Sequence, residues 1–127
     1  MAVVHLDTDL LVYATQVSGP ERNRLVALSE SSQSIQMSAV AWYEYARGPR
    51  TPEQLALARF FLDEEGVVPF TEGAAERAAD VFRRLGSPRR RSNDIAIGVT
   101  AMACDALLLT RNVGDFDGID GLRVATP

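Results

Sequence analysis

Short apolar runs alternate with longer segments whose apolar residues recur at helical spacing, and this alternation limits the possible folds more than any other feature. Runs this short and this apolar are typical of strands buried on both faces of a sheet. Strands that alternate with helices pair in parallel, because a parallel crossover needs a long connection such as a helix. The alternation therefore predicts a three-layer α/β/α sandwich with a mostly parallel central sheet. The predicted strands are Ala2–Leu6, Ser34–Met37, Val67–Phe70, Ala106–Leu109 and Leu122–Ala125.

Capping residues mark the predicted helix boundaries. Ser38 is a good N-cap for a helix that continues through Arg47. The segment Thr51–Gln54 has the pattern of a capping box with proline at the first helical position, and Gly66 is predicted to end the helix that it begins. The other predicted helix starts are Pro20, Thr71 and Asn93.

Length and composition set the class of protein. The chain has 127 residues, of which 46% are hydrophobic, so residues 1–127 are predicted to form a single globular domain. Its one cysteine, Cys104, excludes an internal disulfide framework and a cysteine-based zinc site. No apolar run approaches the roughly 20 residues of a membrane span, and the first residues lack the basic region of a secretory signal. We therefore expect a cytoplasmic protein with no membrane partner.

The basic residues are unusual in kind. All 13 are arginines, so mechanisms that need a lysine are excluded, among them Schiff-base chemistry and P-loop phosphate binding. A net charge of -4 also argues against a protein that coats nucleic acid with a basic surface. It does not exclude an enzyme whose acidic pocket is neutralised by metal ions.

Four carboxylates occupy positions where a parallel α/β sheet binds its ligands, outside the carboxyl ends of the strands. Asp7 ends the first apolar run, and Asp115 lies in the loop after the fourth. Glu44 lies on the helix after the second run, two turns from its N-cap. Asp94 begins an otherwise apolar helical stripe that is predicted to face inward, and such a local conflict tends to mark function.

If these four acids converge, they need a counter-charge. Two unit charges 4 Å apart repel by about 4 kcal/mol at an effective dielectric of 20, and six such pairs at longer range would total on the order of 10 kcal/mol, comparable to a domain's stability. Protons or cations must offset this repulsion. Oxygen ligands alone favour Mg²⁺ or Mn²⁺, with water completing the coordination.

Four segments of the sequence together resemble a known family. VVHLDTDLLVY, SAVAWYEYARG, SNDIAIGVTAM and LLLTRNVGDFDGIDGLRV are similar, in order and spacing, to the four motif blocks of PIN-domain ribonucleases, in particular VapC-type toxins of toxin–antitoxin pairs. The resemblance covers nearly the whole chain. It implies an endoribonuclease that cleaves RNA with Mg²⁺ or Mn²⁺, forms a homodimer and is held inactive by a cognate antitoxin protein.

The same resemblance assigns roles to individual residues. Members of this family bind metal and carry out catalysis through acids that correspond to Asp7, Glu44, Asp94 and Asp115. Thr110 and Asn112 match the polar residues that support the acids in this family, and Thr8 and Arg91 are further candidates for supporting the acids or binding substrate. The chain departs from many relatives in carrying Asp9 where they carry asparagine, so Asp9 is a candidate fifth acid. Asp117 is an alternative to Asp115 if the loop register differs.

Several alternatives remain open at the level of sequence. The chain could be a catalytically silent PIN-like module that binds RNA or an antitoxin. The Asp-x-Asp after the first strand also resembles haloacid-dehalogenase phosphatases, but these need a lysine that the chain lacks.

His5, the only histidine, lies in an apolar run and is predicted to be a hydrogen-bonded core residue rather than a base. The arginines Arg89–Arg91 are either a solvated loop or a guide for a phosphate backbone. Of the aromatic residues around Glu44, most are predicted to be core and one to border the site.

Overall fold

A computed structural model describes residues 2–127. Its strands are β1 Val3–Leu6, β2 Ser34–Ser38, β3 Val67–Val68, β4 Leu107–Leu109 and β5 Arg123–Ala125. They form one sheet in which every neighbouring pair is parallel, in the order β3-β2-β1-β4-β5. This confirms the predicted parallel α/β architecture.

Helices connect the strands and cover the sheet. The helices are α1 Thr8–Gln16, α2 Pro20–Ser29, α3 Ala39–Ala46, α4 Pro52–Phe61, α5 Glu72–Arg84 and α6 Ser92–Ala103. Two short 3-10 turns, Arg89–Arg91 and Val113–Phe116, precede α6 and follow β4. Helices α1, α2 and α4 pack against one another, α5 packs against α6, and α3 contacts both α1 and α6.

The core lies along β1, β4 and α6. Val4, His5 and Leu6 of β1 are all buried, as expected for a central parallel strand covered on both faces. Helix α6 is buried at every position from Ile95 to Ala101. The prediction of a single inward stripe on this helix was therefore too narrow, because α5, the sheet and the Val113–Phe116 turn surround it.

The helix that begins at the Thr51–Gln54 capping box ends earlier than predicted. Both halves of the capping box are present, but the helix stops at Phe61 rather than at Gly66. The cause is a tertiary contact: the Asp63 backbone N–H donates to the Ile35 carbonyl at 2.9 Å, and its carboxylate accepts from the Ile35 N–H at 3.1 Å. Because of these two hydrogen bonds to β2, the backbone leaves the helical conformation after Phe61.

Two other boundaries also differ from prediction. Strand β3 has only two residues, because it is an edge strand and Pro69 has no N–H to extend the ladder. The last long helix begins at Ser92, one residue before the predicted Asn93, since the 3-10 turn leads directly into it.

His5 is fully buried, as predicted, but only one of its ring nitrogens has a partner. Nε2 lies 3.1 Å from Oε1 of Gln36, whereas Nδ1 has no hydrogen-bond partner among the described residues. Burial lowers the pKa of this imidazole, which favours the neutral ring.

None of the helices between residues 2 and 127 combines the length and the apolar character that crossing a bilayer requires.

Candidate active site

The order of the strands reverses between β1 and β4, and ligands of open parallel sheets bind at such a switch point. Asp7 directly follows β1 and Thr110 directly follows β4. The Asp7 backbone N–H donates to the Leu109 carbonyl at 3.0 Å. The sheet therefore fixes the two residues side by side at its carboxyl edge.

Asp7 is held by two hydrogen bonds in a buried position. Its side chain accepts from the Thr8 backbone N–H at 2.8 Å and from the Thr110 hydroxyl at 2.8 Å. Burial raises the pKa of the Asp7 carboxyl, the two hydrogen bonds oppose that rise, and the charges of Asp9 and Glu44 add to it. Asp7 also serves as N-cap of α1, so its structural role and a role in the site do not exclude each other.

Glu44 is held by residues from two other helices. The Thr8 hydroxyl donates to its Oε1 at 2.8 Å, and the Asn93 side-chain amide donates to its Oε2 at 3.0 Å. Thr8 thus bridges α1 and α3, as a supporting residue should. Asn93 was expected only to start a helix, and the sequence signal for its second role is its place directly before Asp94.

Asp94 lies in the first turn of α6, where the helix dipole favours a carboxylate. Burial and the charges of Asp7, Asp115 and Glu44 nevertheless raise its pKa to about 6, against a smaller opposing effect of Arg91. Asp94 is therefore within electrostatic reach of each of the other three predicted acids. The predicted local conflict is present.

Asp115 lies in the 3-10 turn Val113–Phe116 and is exposed. The Arg91 guanidinium donates to the backbone carbonyls of Asp115, at 3.2 Å, and of Asp117. Arg91 thereby ties this turn to the start of α6. These contacts favour a supporting role for Arg91 over a solvated one.

A cleft of about 310 Å³ brings the predicted acids together. Asp9 also lines this cleft, whereas Asp117 does not. Thr110 lies behind the cleft against Asp7. Asn112 contributes through its backbone: its N–H donates to the Thr110 hydroxyl at 3.0 Å, and its carbonyl accepts from the Asp115 N–H at 3.1 Å. The residues that line the cleft are Asp7, Thr8, Asp9, Val12, Glu44, Arg47, Arg50, Asp94 and Asp115.

Two arginines at the rim of the cleft were not predicted as site residues. Arg47 is the C-cap of α3 and Arg50 lies three residues further on. The available signal was the spacing of Arg47 from Glu44, since residues three apart on a helix lie next to each other on its surface. A larger cavity of about 510 Å³ lies elsewhere, against α5 and α6, and contains none of the predicted site residues.

The donor set of the cleft fits a hard divalent cation. It offers carboxylate oxygens, and after burial their mutual repulsion contributes to the raised pKa of Asp94. Oxygen ligands suit Mg²⁺ or Mn²⁺. Among residues 2–127, no group of three acidic, histidine or cysteine side chains is close enough to hold a metal ion by itself. The arrangement therefore suits an ion such as Mg²⁺, which keeps several waters and binds through one or two carboxylates.

The fold and the cleft define a class: an α/β protein with a parallel sheet and an acidic, oxygen-donor site at the switch point. A family model described as PIN domain matches residues 4–122. The chain therefore belongs to the PIN-domain family, which confirms the resemblance seen in its four motif segments.

Solved structures similar to this chain come from toxin–antitoxin systems. VapBC2 from Rickettsia felis, bound to a promoter DNA fragment, matches with a TM-score of 0.76 and 20% identity over 98% of each chain. DNA-bound VapBC from Salmonella typhimurium matches with a TM-score of 0.72 and 20% identity over 99% of this chain and 98% of that one. A toxin–antitoxin complex from Klebsiella pneumoniae matches with a TM-score of 0.71 and 26% identity over 100% and 98%. No curated protein matches the chain significantly.

Proposed function

We propose that the protein is a metal-dependent endoribonuclease that hydrolyses RNA phosphodiesters and acts as the toxin of a toxin–antitoxin pair. The observation that carries the proposal is the single cleft lined by Asp7, Glu44, Asp94 and Asp115, which come from four separate parts of a PIN-domain chain. The toxin–antitoxin complexes among its structural relatives support the biological role.

In this proposal the cleft formed by the four acids binds Mg²⁺ or Mn²⁺, with one or two carboxylates as direct ligands and water completing the coordination. When bound, the ion would supply Lewis-acid chemistry, polarising a phosphoryl oxygen and making a water more acidic. The chain's own residues keep the acids in place. Thr110 orients Asp7, Thr8 and Asn93 orient Glu44, and Arg91 holds the turn that carries Asp115.

A cleavage assay on single-stranded RNA tests the proposal. We expect the wild type to cut RNA in Mg²⁺ or Mn²⁺ and not in EDTA. Asp7→Asn, Glu44→Gln and Asp94→Asn should each reduce cutting to the level of a protein-free control while circular dichroism stays unchanged. Asp120→Asn, an exposed acid outside the cleft, is the matched control. Wild-type rates in Asp94→Asn would overturn the assignment of the site.

A second candidate function is a catalytically silent module that binds RNA or an antitoxin. The observation in its favour is that no three of the described acids converge closely enough to bind an ion directly. The same assay separates the two candidates, because a silent module would leave RNA intact in both metals, whether it binds RNA or only an antitoxin.

We also propose a homodimer that binds a small antitoxin protein encoded beside it. Exposed aromatic side chains supply the surface for such partners: Phe60 is 64% exposed although the adjacent Phe61 is buried. The expected result is a dimeric mass in solution and copurification of the neighbouring gene product on coexpression. A monomeric mass with no copurifying protein would contradict this part of the proposal.

A further inference from the structure

One aromatic side chain next to the acidic cleft remains in solvent. Trp42 and Tyr45 stack on each other 5.6 Å apart, and the buried Tyr45 hydroxyl lies 2.8 Å from the Thr15 hydroxyl. Tyr43 instead is 62% exposed, although Glu44 beside it lines the cleft. Of the three aromatic residues around Glu44, Tyr43 is therefore the one whose ring is available at the surface.

Arg47 lies over this exposed ring. Its guanidinium carbon is 5.2 Å from the centroid of the Tyr43 ring, one helical turn away on α3. Arg47 also lines the cleft, so the pair joins the acidic site to the surface. The result is a flat aromatic face and a cation next to each other at the rim.

Arg47 and Arg50 differ in what they already bind. Arg50 donates from Nε to the Tyr45 carbonyl at 3.0 Å and from Nη1 to the Pro49 carbonyl at 3.4 Å, and it lies over the buried Tyr45 ring. Arg50 is therefore bound to the C-terminal end of α3. In the described part of the chain, the Arg47 side chain forms neither a hydrogen bond nor an ion pair. Its only cation–π partner there is the Tyr43 ring. Its donors are free for a ligand.

The charge of the site indicates what that ligand is. The cleft is lined by five carboxylates and only two arginines, so its acids repel a phosphate backbone and the arginines are the lining groups that can bind one. A phosphate backbone with unpaired bases fits an arginine beside an exposed aromatic ring, because the guanidinium binds phosphate and the ring stacks on a base.

We propose that Tyr43 and Arg47 form a nucleotide-binding platform for single-stranded RNA, defined as the Tyr43 ring and the Arg47 guanidinium at the rim of the cleft. Tyr43 stacks on one unpaired base, and Arg47 binds a phosphate near the one that is cleaved. The inference rests on the proposed endoribonuclease function and adds how the substrate is held.

Equilibrium binding in EDTA tests the platform without any cleavage. The probe is a fluorescein-labelled single-stranded RNA of mixed sequence, and fluorescence anisotropy gives the dissociation constant. We expect Tyr43→Ala to weaken binding about 5-fold or more, the scale of losing one base stack, and Tyr43→Phe to bind as the wild type does. Arg47→Ala should lower the slope of log K against log salt by about 0.7, the value for one phosphate contact on a single strand. Arg24→Ala, which removes an equal charge from an exposed site outside the cleft, should leave the slope unchanged.

A series of RNAs that each lack one base separates stacking from a structural role. The wild type should bind one of these RNAs about 5-fold or more weakly than the intact RNA. The Tyr43→Ala variant should bind all of these RNAs and the intact RNA equally, because the ring on which the base would stack is absent. A wild type that does not bind RNA, or variants that bind as tightly as it does, would overturn the inference.

Two parallel measurements separate this inference from its premise. If the wild type cleaves RNA in Mg²⁺ but the Tyr43 and Arg47 variants bind RNA normally, the platform is wrong and the proposed function stands. If binding depends on both residues but no RNA is cut, the endoribonuclease is wrong and the platform stands. If Tyr43→Ala binds RNA normally and loses only the coexpressed neighbouring protein, the surface is a protein contact and the inference is overturned.

Discussion

At the scale of single residues, Asp94 is the carboxyl of the cleft whose pKa departs most from its ordinary value. Burial and three neighbouring carboxylates raise its pKa from 3.8 to about 6. The folded protein therefore binds a proton at Asp94 more tightly than the unfolded chain does. The stabilisation from that proton is fully present below about pH 3.8 and is lost as the pH rises through about 6.

The direction of this pKa shift gives a prediction for the stability of the metal-free protein. In EDTA at about pH 7.5, Asp94→Asn should raise the free energy of unfolding by on the order of 1 kcal/mol, less than the full pKa shift implies because water screens a half-buried group. The gain should shrink as the pH falls to about 4, because the wild-type carboxyl is then protonated. Urea denaturation at several pH values measures it.

The control for this prediction is Asp120→Asn, which removes an exposed carboxylate outside the cleft. Its effect on the free energy of unfolding should be small and independent of pH. A less stable Asp94→Asn protein at about pH 7.5, or a difference that does not change with pH, would contradict the electrostatic account.

At the scale of elements, the turn Arg89–Arg91 fixes the loop that carries the fourth acid. Arg91 reaches the carbonyls of Asp115 and Asp117, which are 24 and 26 residues away in sequence. We expect Arg91→Ala to speed amide hydrogen exchange in Val113–Phe116 about 10-fold, since a hydrogen bond from a charged donor contributes about 1.5 kcal/mol or more. Hydrogen-exchange mass spectrometry measures this change segment by segment.

Arg89→Ala is the matched control for the loop, because Arg89 lies in the same turn and its side chain is exposed. Exchange in the Val113–Phe116 turn should stay at the wild-type rate in this variant. Equal exchange in wild type and Arg91→Ala would mean that the turn is held by other contacts, such as burial of Phe116.

The elements also show why some boundaries could be predicted and others could not. Ser38 and Thr51 accept hydrogen bonds from the backbone N–H groups of Ala41 and Gln54, so the starts of α3 and α4 are fixed by local chemistry. The end of α4 is fixed by Asp63 binding to β2, a contact between residues 28 positions apart. Residue patterns along the chain contain no signal for such a contact.

At the scale of the whole molecule, metal binding and folding stability are linked. An ion that binds the assembled cleft far better than the unfolded chain stabilises the fold by mass action. We therefore expect Mn²⁺ to raise the melting temperature of the wild type relative to EDTA. Asp115→Asn should shrink this shift and should not lower the melting temperature in EDTA, because Asp115 is exposed and adds to the repulsion felt by Asp94.

Thermal melts of both proteins with and without Mn²⁺ give this comparison. If Asp115→Asn melts lower in EDTA and keeps the full Mn²⁺ shift, Asp115 does not belong to the acidic cluster. Asp9, which lines the same cleft, would then be the next candidate.

The sequence by itself determined the order of strands and helices, because apolar periodicity, capping and strand ends are local properties of the chain. It also placed the four candidate acids near strand ends or on the helices that follow them. The tertiary structure alone decided which acid each supporting residue holds. Thr110 reaches Asp7 across 103 positions and Asn93 reaches Glu44 across 49. Such partners depend on which strands lie side by side, here β1 against β4. That pairing follows from the packing of the whole core, so no local pattern of residues could specify it.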